Sequence, residues 1–153
     1  MNRWSNQKWI ELLTRLHEVY APTFIFVGSS KIDEENYHEI SAKLSFPTVS
    51  LIRQIELIDL VLVLRDADYF IGIDSGPRNL AHLVDLPSIV LLGPGPHMFT
   101  PMNSRNILLD HSNGRGLIER FYQHQKDGYI EQITPAEVFE AYKRLLEFGK
   151  TTA

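Results

Sequence analysis

The sequence has 153 residues and no cysteine, with 44% hydrophobic and 22% charged residues. This length predicts one domain, and the lack of cysteine excludes disulfide scaffolds, thiolate zinc sites and cysteine nucleophiles. The formal net charge of -4 gives no support to a nucleic-acid-binding surface. No apolar run approaches the roughly 20 residues that span a bilayer, and the N-terminus lacks the apolar core of a secretory signal. We expect a cytoplasmic protein, for which peripheral membrane association stays open.

The first third of the chain alternates helical and strand patterns. Apolar residues recur at helical spacing over residues 5–20, with Ser5 or Asn6 as the candidate cap, and Pro22 bars continuation. A dense apolar segment at 55–67 fits either a strand or a buried helix, and its length favours the helix. Between them the pattern predicts, in order, a strand at 23–28, a loop and helix over 29–44, and a short strand at 48–52.

The middle of the chain repeats this alternation. A strand at 69–73 leads into a short helix at 76–85, which has Pro77 in its first turn, where proline is well tolerated. Strands are then predicted at 88–93 and 105–110. Residues 111–128 are polar and irregular, with one or two helical turns around 117–122.

The last helix, at 134–150, has the clearest start. Thr134 caps it, Pro135 occupies its first position and Glu137 completes a capping box, while Gly149 is expected to end it.

Strands that alternate with helices in this way predict an α/β fold. We expect a single Rossmann-like, doubly wound domain over residues 1–150, with a mainly parallel sheet covered on both faces. Residues 151–153 are expected to form a frayed tail.

The stretch "YFIGIDSGPRNLAHLVDLPSIVLLGP", from Tyr69 to Pro94, places an acid, a hydroxyl and a glycine where a strand meets a helix. Ligands of open parallel sheets bind at the carboxyl ends of the strands, and helix N-termini bind phosphate. Ser75 adds a hydroxyl, Gly76 permits a tight turn or a close approach, and Asp74 suits a sugar hydroxyl or an amine. The structural alternative is an N-cap and a turn, worth about 1 kcal/mol.

The same stretch resembles the signature segment of the family 9 glycosyltransferases, the heptosyltransferases of lipopolysaccharide core synthesis. In that family a strand runs into Asp-Ser/Thr-Gly-Pro, a helix follows, and then Pro-x-Val-x-Leu-Phe-Gly-Pro. Flanking segments resemble the family in the same order: "RWSNQKWIELLTRL", "FIFVGSSKIDEEN", "LIRQIELIDLVLVLRDADYFIGIDSG" and "ITPAEVFEAYKRLL". The resemblance covers about residues 4 to 148.

This resemblance implies one half of a GT-B enzyme, a fold with two Rossmann-like halves. The chain resembles the C-terminal half, which binds the nucleotide-sugar donor, whereas the acceptor and the proposed catalytic base belong mainly to the N-terminal half. No catalytic residue is therefore assigned to this chain, and an acceptor half would come from another chain or a longer parent gene. The donor is implied as a substrate, with ADP-heptose as the family default, and no cofactor is implied.

The family's donor contacts carry over to the strand-to-helix junction. Ser75 and Gly76 would hold the diphosphate at the start of the helix, next to Pro77. Asp74 would meet the sugar or help to position a lysine.

Two further contacts and three departures complete the resemblance, and one departure is the loop "GPGPHMFTPMNS" at 93–104 in place of the family's more usual Gly-Pro-Thr turn. Asp33 would lie near the ribose, and backbone atoms near Ile55 would contact the base. A donor-binding lysine of the family is replaced by Asn2, so that Arg3 could supply the charge with a different geometry. The usual histidine of the helix is Asn79 here.

Other features leave alternatives open. The six histidines show no metal-ligand spacing, so no metal site is predicted. The segment "GPGPHMF" at 93–99 could line the donor pocket, with His97 bonded to a phosphate, or be an ordinary rigid loop. If a partner half is missing, apolar surface should remain exposed, and the face near Trp4 and Trp9 is one candidate.

Three functional hypotheses result, and the last of them is a Rossmann-like domain that binds an unrelated ligand. The first is the donor-binding part of a glycosyltransferase of lipopolysaccharide or surface-glycan synthesis, which the retained "DSGP" favours. The second is a non-catalytic or degenerate nucleotide-binding or assembly module, which the changes at Asn2 and Asn79 favour.

Overall fold

The computed structural model describes residues 3–93, 105–111 and 129–151. Most of the loop at 93–104, the turns predicted at 117–122 and the last two residues lie outside these ranges, as does Asn2. The helices are α1 (Asn6–Tyr20), α2 (Lys31–Ser41), α3 (Leu57–Asp66), α4 (Gly76–Leu83), α5 (Tyr129–Gln132) and α6 (Pro135–Thr151). The strands are β1 (Ile25–Phe26), β2 (Val49–Ser50), β3 (Phe70–Ile73), β4 (Ser88–Leu91) and β5 (Asn106–Leu109).

The strands are parallel, as predicted, but the described residues form two sheets instead of one. β3, β4 and β5 pair in that order, and β1 pairs with β2. The bonds between β1 and β2 extend beyond their assigned ends, since the amide of Val49 donates to the carbonyl of Phe24 over 2.9 Å and that of Arg53 to Gly28 over 3.1 Å. The β1 backbone is therefore paired over most of the predicted strand at 23–28.

Helices cover both faces of β3, as a doubly wound fold requires. Phe70 packs into a buried cluster with Leu60, Leu64, Ala81 and Leu86, which come from α3, α4 and the turn after α4. Successive strand residues point to opposite faces. Ile71 and Ile73 accordingly pack against the larger cluster, whose buried members come mainly from α1, α6 and β4, among them Leu12, Leu16, Ile89, Val138 and Leu145.

The apolar face near Trp4 and Trp9, one candidate for an exposed surface, is not exposed at Trp4, which lies in the core. Trp4 is 3% exposed and belongs to the larger core cluster, and Trp9 packs against that cluster. The indole N–H of Trp4 donates to the carbonyl oxygen of Ile133 over 2.8 Å, and the two tryptophan rings meet edge to face at 4.9 Å. A buried tryptophan needs such a partner for its N–H, and the segment between α5 and α6 supplies it.

The start of α6 is confirmed and its predicted end is wrong. The amide of Thr134 donates to Glu137 over 2.7 Å, and the amide of Glu137 donates to the Thr134 hydroxyl over 3.2 Å, which is the predicted capping box. The helix then continues through Gly149 to Thr151. A glycine costs about 1 kcal/mol inside a helix but does not break it.

Among the described helices, none combines the length and the apolar character that a bilayer span requires.

Candidate functional site

Asp74 and Ser75 join the carboxyl end of β3 to the start of α4. Ser75 occupies the N-cap position in an extended conformation, with φ -158° and ψ 177°, but its side chain makes no capping hydrogen bond. The hydroxyl instead donates backwards to the carbonyl oxygen of Ile73 over 3.2 Å. The capping role that the sequence offered as an alternative is therefore not what this hydroxyl does.

The space at Gly76 is open. A Cβ atom built on this glycine would meet nothing within 4 Å, and its φ lies outside the left-handed region that favours glycine. No tight turn therefore requires a glycine here. Of the two explanations that the sequence offered, the tight turn is not observed, and the open space leaves room for the close approach. Pro77 follows in the first turn and brings no N–H group to this end of the helix.

Asp74 is held by Arg78, four residues further along. Nε and Nη2 of Arg78 donate to the same carboxylate oxygen, Oδ1, over 3.1 and 2.5 Å. The Arg78 side chain is 6% exposed and that of Asp74 is 23% exposed. The pair thus lies largely inside the protein, where two hydrogen bonds fix the carboxylate in one orientation.

Sequence reasoning missed Arg78, although a signal was present. An acid four residues before an arginine at the start of a helix is the orientation that favours an ion pair. The signal is weaker here than inside a helix, because Asp74 precedes α4 instead of lying within it.

Arg3 and Asp33 were predicted separately, and the structure brings them together. Nη1 of Arg3 donates to Oδ1 of Asp33 over 3.1 Å, across 30 residues of sequence. The other oxygen of Asp33 accepts from the backbone amide of Ser30 over 3.0 Å, and the Ser30 hydroxyl accepts from the Asp33 amide in return. Asp33 is therefore first of all part of the capping box that starts α2.

These contacts change the pKa of Asp33. Burial raises it, but the hydrogen bonds from Ser30 and the guanidinium of Arg3 outweigh burial and leave the pKa below its ordinary value of 3.8. Gly28 lies against the same carboxylate, since a Cβ atom there would be 2.9 Å from Cβ of Asp33. The end of β1 must consequently carry a glycine for Asp33 to sit where it does.

Arg3 also lines an open cavity of about 370 Å³. The lining residues come from the segment before α1 and its start, from α2 and from α5, and none belongs to Asp74–Pro77. They are Arg3, Trp4, Ser5, Asn6, Asn36 and Glu131. The predicted donor contacts are thus distributed over two places, the cavity beside Arg3 and the junction of β3 with α4.

The remaining predicted positions lie at helix starts. Ile55 precedes α3 and packs its side chain against the smaller core cluster. Asn79, in place of the family's histidine, is exposed on α4. In residues 3–93, 105–111 and 129–147, no group of three or more histidine, aspartate or glutamate side chains could hold a metal ion.

Comparison with known proteins decides the family. The model of glycosyltransferase family 9 (heptosyltransferase) matches residues 2–126, most of the chain. The chain belongs to glycosyltransferase family 9. This family 9 chain is 27% identical over 150 residues to lipopolysaccharide heptosyltransferase 3 of Escherichia coli, and the match covers 97% of the chain and 44% of that protein. The protein of the same name from strain K12 is 26% identical over 145 residues, 42% of its length.

Solved structures agree with the fold. The family 9 glycosyl transferase of Veillonella parvula DSM 2008 superposes with a TM-score of 0.84 at 18% identity, over 95% of this chain and 42% of that one. The E. coli ADP-heptose LPS heptosyltransferase II gives a TM-score of 0.80 at 25% identity, over 97% and 43%. The predicted α/β fold of one part of a GT-B glycosyltransferase is confirmed, and this family 9 chain spans less than half the length of the relatives that it matches.

Proposed function

We propose that this chain binds the nucleotide-sugar donor of a family 9 glycosyltransferase. The observation that carries the proposal is the start of α4, where Ser75 leaves the helix without a side-chain cap and Gly76 borders open space. Amides and the dipole of a helix start favour the binding of phosphate groups. Membership of the family makes a sugar attached to a nucleoside diphosphate the ligand to test first.

In the proposed complex the diphosphate lies over Gly76. The Ser75 hydroxyl, which now donates to its own strand, turns to donate to a phosphate oxygen instead. As the glycosidic bond to the diphosphate breaks, negative charge grows on the phosphate oxygens, and fixed donors at that position stabilise the transition state. The diphosphate is then the leaving group of glycosyl transfer.

Other contacts supplement this one. Asp74 retains Oδ2 for a sugar hydroxyl, since Arg78 binds Oδ1. Asp33 would have to share Oδ1 between Arg3 and a ribose hydroxyl, which an oxygen with two lone pairs can do. The backbone at Ile55 contacts the base, and Arg3 adds positive charge near the ribose.

Transfer of the sugar requires an acceptor half, which we place on another chain or on a further segment of the same one. The proposed setting is the synthesis of lipopolysaccharide or another surface glycan in the cytoplasm, with ADP-heptose as the first donor to test. No cofactor takes part in this proposal.

The test is calorimetric titration of the chain with ADP, UDP and GDP, repeated on Ser75→Ala, Gly76→Val and Asp74→Ala. We expect one nucleotide to bind, and Gly76→Val to abolish binding because its side chain fills the space for the diphosphate. Ser41→Ala is the matched control, since the Ser41 hydroxyl also donates to a nearby backbone carbonyl, that of His38 over 3.3 Å, away from the site. A folded chain that binds none of the nucleotides at millimolar concentration would contradict the proposal.

The second candidate is a nucleotide-binding or assembly module without catalytic activity. The exposed Asn79, where the family has a histidine, favours it. The two candidates differ in a transfer assay with an added family 9 acceptor half and labelled donor. Nucleotide binding without transfer, for every acceptor half tried, would support the second.

A further inference from the structure

Arg78 is an exception to the general rule that positively charged residues are disfavoured at the start of a helix. It lies in the first turn of α4, where the helix dipole disfavours a positive charge. Its side chain is nevertheless 6% exposed. A charge that breaks a local rule inside the protein marks a place where function or tertiary structure decides the residue.

The contact with Asp74 explains how the charge is tolerated. Two hydrogen bonds from Arg78 go to Oδ1 of Asp74, and among the residues that the structure describes Oδ2 of Asp74 has no hydrogen bond. The Asp74 side chain is 23% exposed, so a ligand can reach it. The arginine fixes the carboxylate by one oxygen and leaves the other to accept a bond.

We propose that Arg78 is a positioning residue of the donor site, which holds Asp74 and balances its charge so that a diphosphate can bind beside a carboxylate. The inference rests on the function proposed above. Without Arg78, the negative charge of Asp74 would stand at the start of α4 and repel the phosphate groups. With it, the pair is close to neutral and the amides of the helix start act on the anion unopposed.

The source of the balancing charge distinguishes this chain from the arrangement that the family resemblance implied, in which Asp74 helps to position a lysine. Here Arg3, the candidate substitute for that lysine, is bonded to Asp33. The partner of Asp74 instead comes from its own segment, four residues along. The anion site over Gly76 should therefore depend on Arg78 more than on Arg3.

The experiment titrates the 153-residue chain with inorganic pyrophosphate and with the nucleotide that binds best, at low and at high salt. We expect Arg78→Met to weaken pyrophosphate binding about tenfold or more at low salt, and added salt to reduce that loss because it screens the repulsion from Asp74. Asp74→Asn/Arg78→Met should recover most of the affinity, since both charges are gone. Arg78→Lys keeps the charge and should bind better than Arg78→Met.

A structural role alone predicts a different pattern. The double variant would then bind no better than Arg78→Met, and the loss would not depend on salt. Arg65→Met is the control, since Arg65 is exposed on α3 and pairs only with its neighbour Asp66 at 3.3 Å among the described contacts.

The outcomes separate the two proposals. Wild-type chain that binds neither pyrophosphate nor any nucleotide overturns the proposed function and this inference with it. Wild-type binding that a folded Arg78→Met leaves unchanged, or that the double variant does not recover, overturns the inference alone. If Arg78→Met does not fold, Asp74→Asn tests the inference instead. This variant should bind pyrophosphate more tightly than wild type. Unchanged or weaker binding of pyrophosphate overturns the inference.

Discussion

The two ion pairs of the candidate site differ in how the chain makes them. Asp74 and Arg78 are four residues apart, and their side chains are 23% and 6% exposed. Arg3 and Asp33 are 30 residues apart, and both side chains are 31% exposed. The local pair is the more deeply buried one, and the pair that crosses the structure is partly exposed. Since water screens charges at the surface, the local pair should matter more for stability and for the field at the site.

Removal of Arg78 should have the largest effect. Arg78→Met leaves Asp74 without its counter-charge in a mostly buried position, and we expect the free energy of unfolding to fall by about 3 kcal/mol. Urea unfolding followed by circular dichroism measures the loss. The double variant with Asp74→Asn should lose less than Arg78→Met alone. A loss under about 1 kcal/mol would show that the buried pair is no stronger than a surface pair.

Gly28→Ala should come second. The added Cβ would lie 2.9 Å from Cβ of Asp33 and 3.0 Å from its Oδ2, so the capping carboxylate has to move. We expect a loss of about 1 to 2 kcal/mol in the free energy of unfolding. The same measurement on Gly28→Ala/Asp33→Gly, compared with Asp33→Gly, checks the cause, because a glycine at position 33 removes the crowded Cβ as well as the carboxylate and should make the alanine at position 28 nearly neutral.

Arg3→Met should have a small, pH-dependent effect. Because the folded state lowers the pKa of Asp33 below 3.8, its contacts stabilise the protein above that value and lose their contribution as the pH falls through the lowered pKa. Near neutral pH we expect a loss of about 0.5 kcal/mol, since the pair is partly exposed. Unfolding measured over a pH series should show the difference from wild type shrinking in acid. If the difference in free energy of unfolding stays constant with pH, or if Arg3→Met has the same effect in an Asp33→Asn background, the ion pair is not the source of the difference.

Gly76→Ala should change stability least. The added Cβ meets nothing within 4 Å, and we expect a change of under about 0.5 kcal/mol in the free energy of unfolding. It should nevertheless weaken nucleotide binding, because the methyl group occupies the space proposed for the diphosphate. Thermal unfolding and calorimetry on the same sample separate the two effects. Unchanged nucleotide binding would mean that the diphosphate does not lie at this helix start.

Much of this site could be predicted from local sequence. The apolar run before Asp74 and the helical pattern after Gly76 locate the junction, since strand and helix periods depend on neighbouring residues. The capping boxes at Ser30–Asp33 and Thr134–Glu137 are also local patterns, although only the second was predicted. Arg78 was within reach of the same reasoning, because its partner is four residues away.

Other features were beyond such reasoning. The short helix α5 has only four residues, too few for a period to be recognised. Gly149 looked like a helix end, but α6 continues past it. Ser75 looked like a cap, but its hydroxyl bonds to Ile73. In the last two cases two local arrangements have similar free energies, and the surrounding structure decides which of them forms.

Local sequence patterns were enough to predict the order of the longer helices and strands, the parallel α/β fold, the family resemblance, and the place of the acid, hydroxyl and glycine at the end of β3. The tertiary structure was needed to show that Trp4 is buried against Ile133, 129 residues away, and that Arg3 meets Asp33. It also decided that Arg78 is buried. Periodicity and capping follow from groups within about one helical turn, whereas burial and distant contacts depend on how whole elements pack against one another.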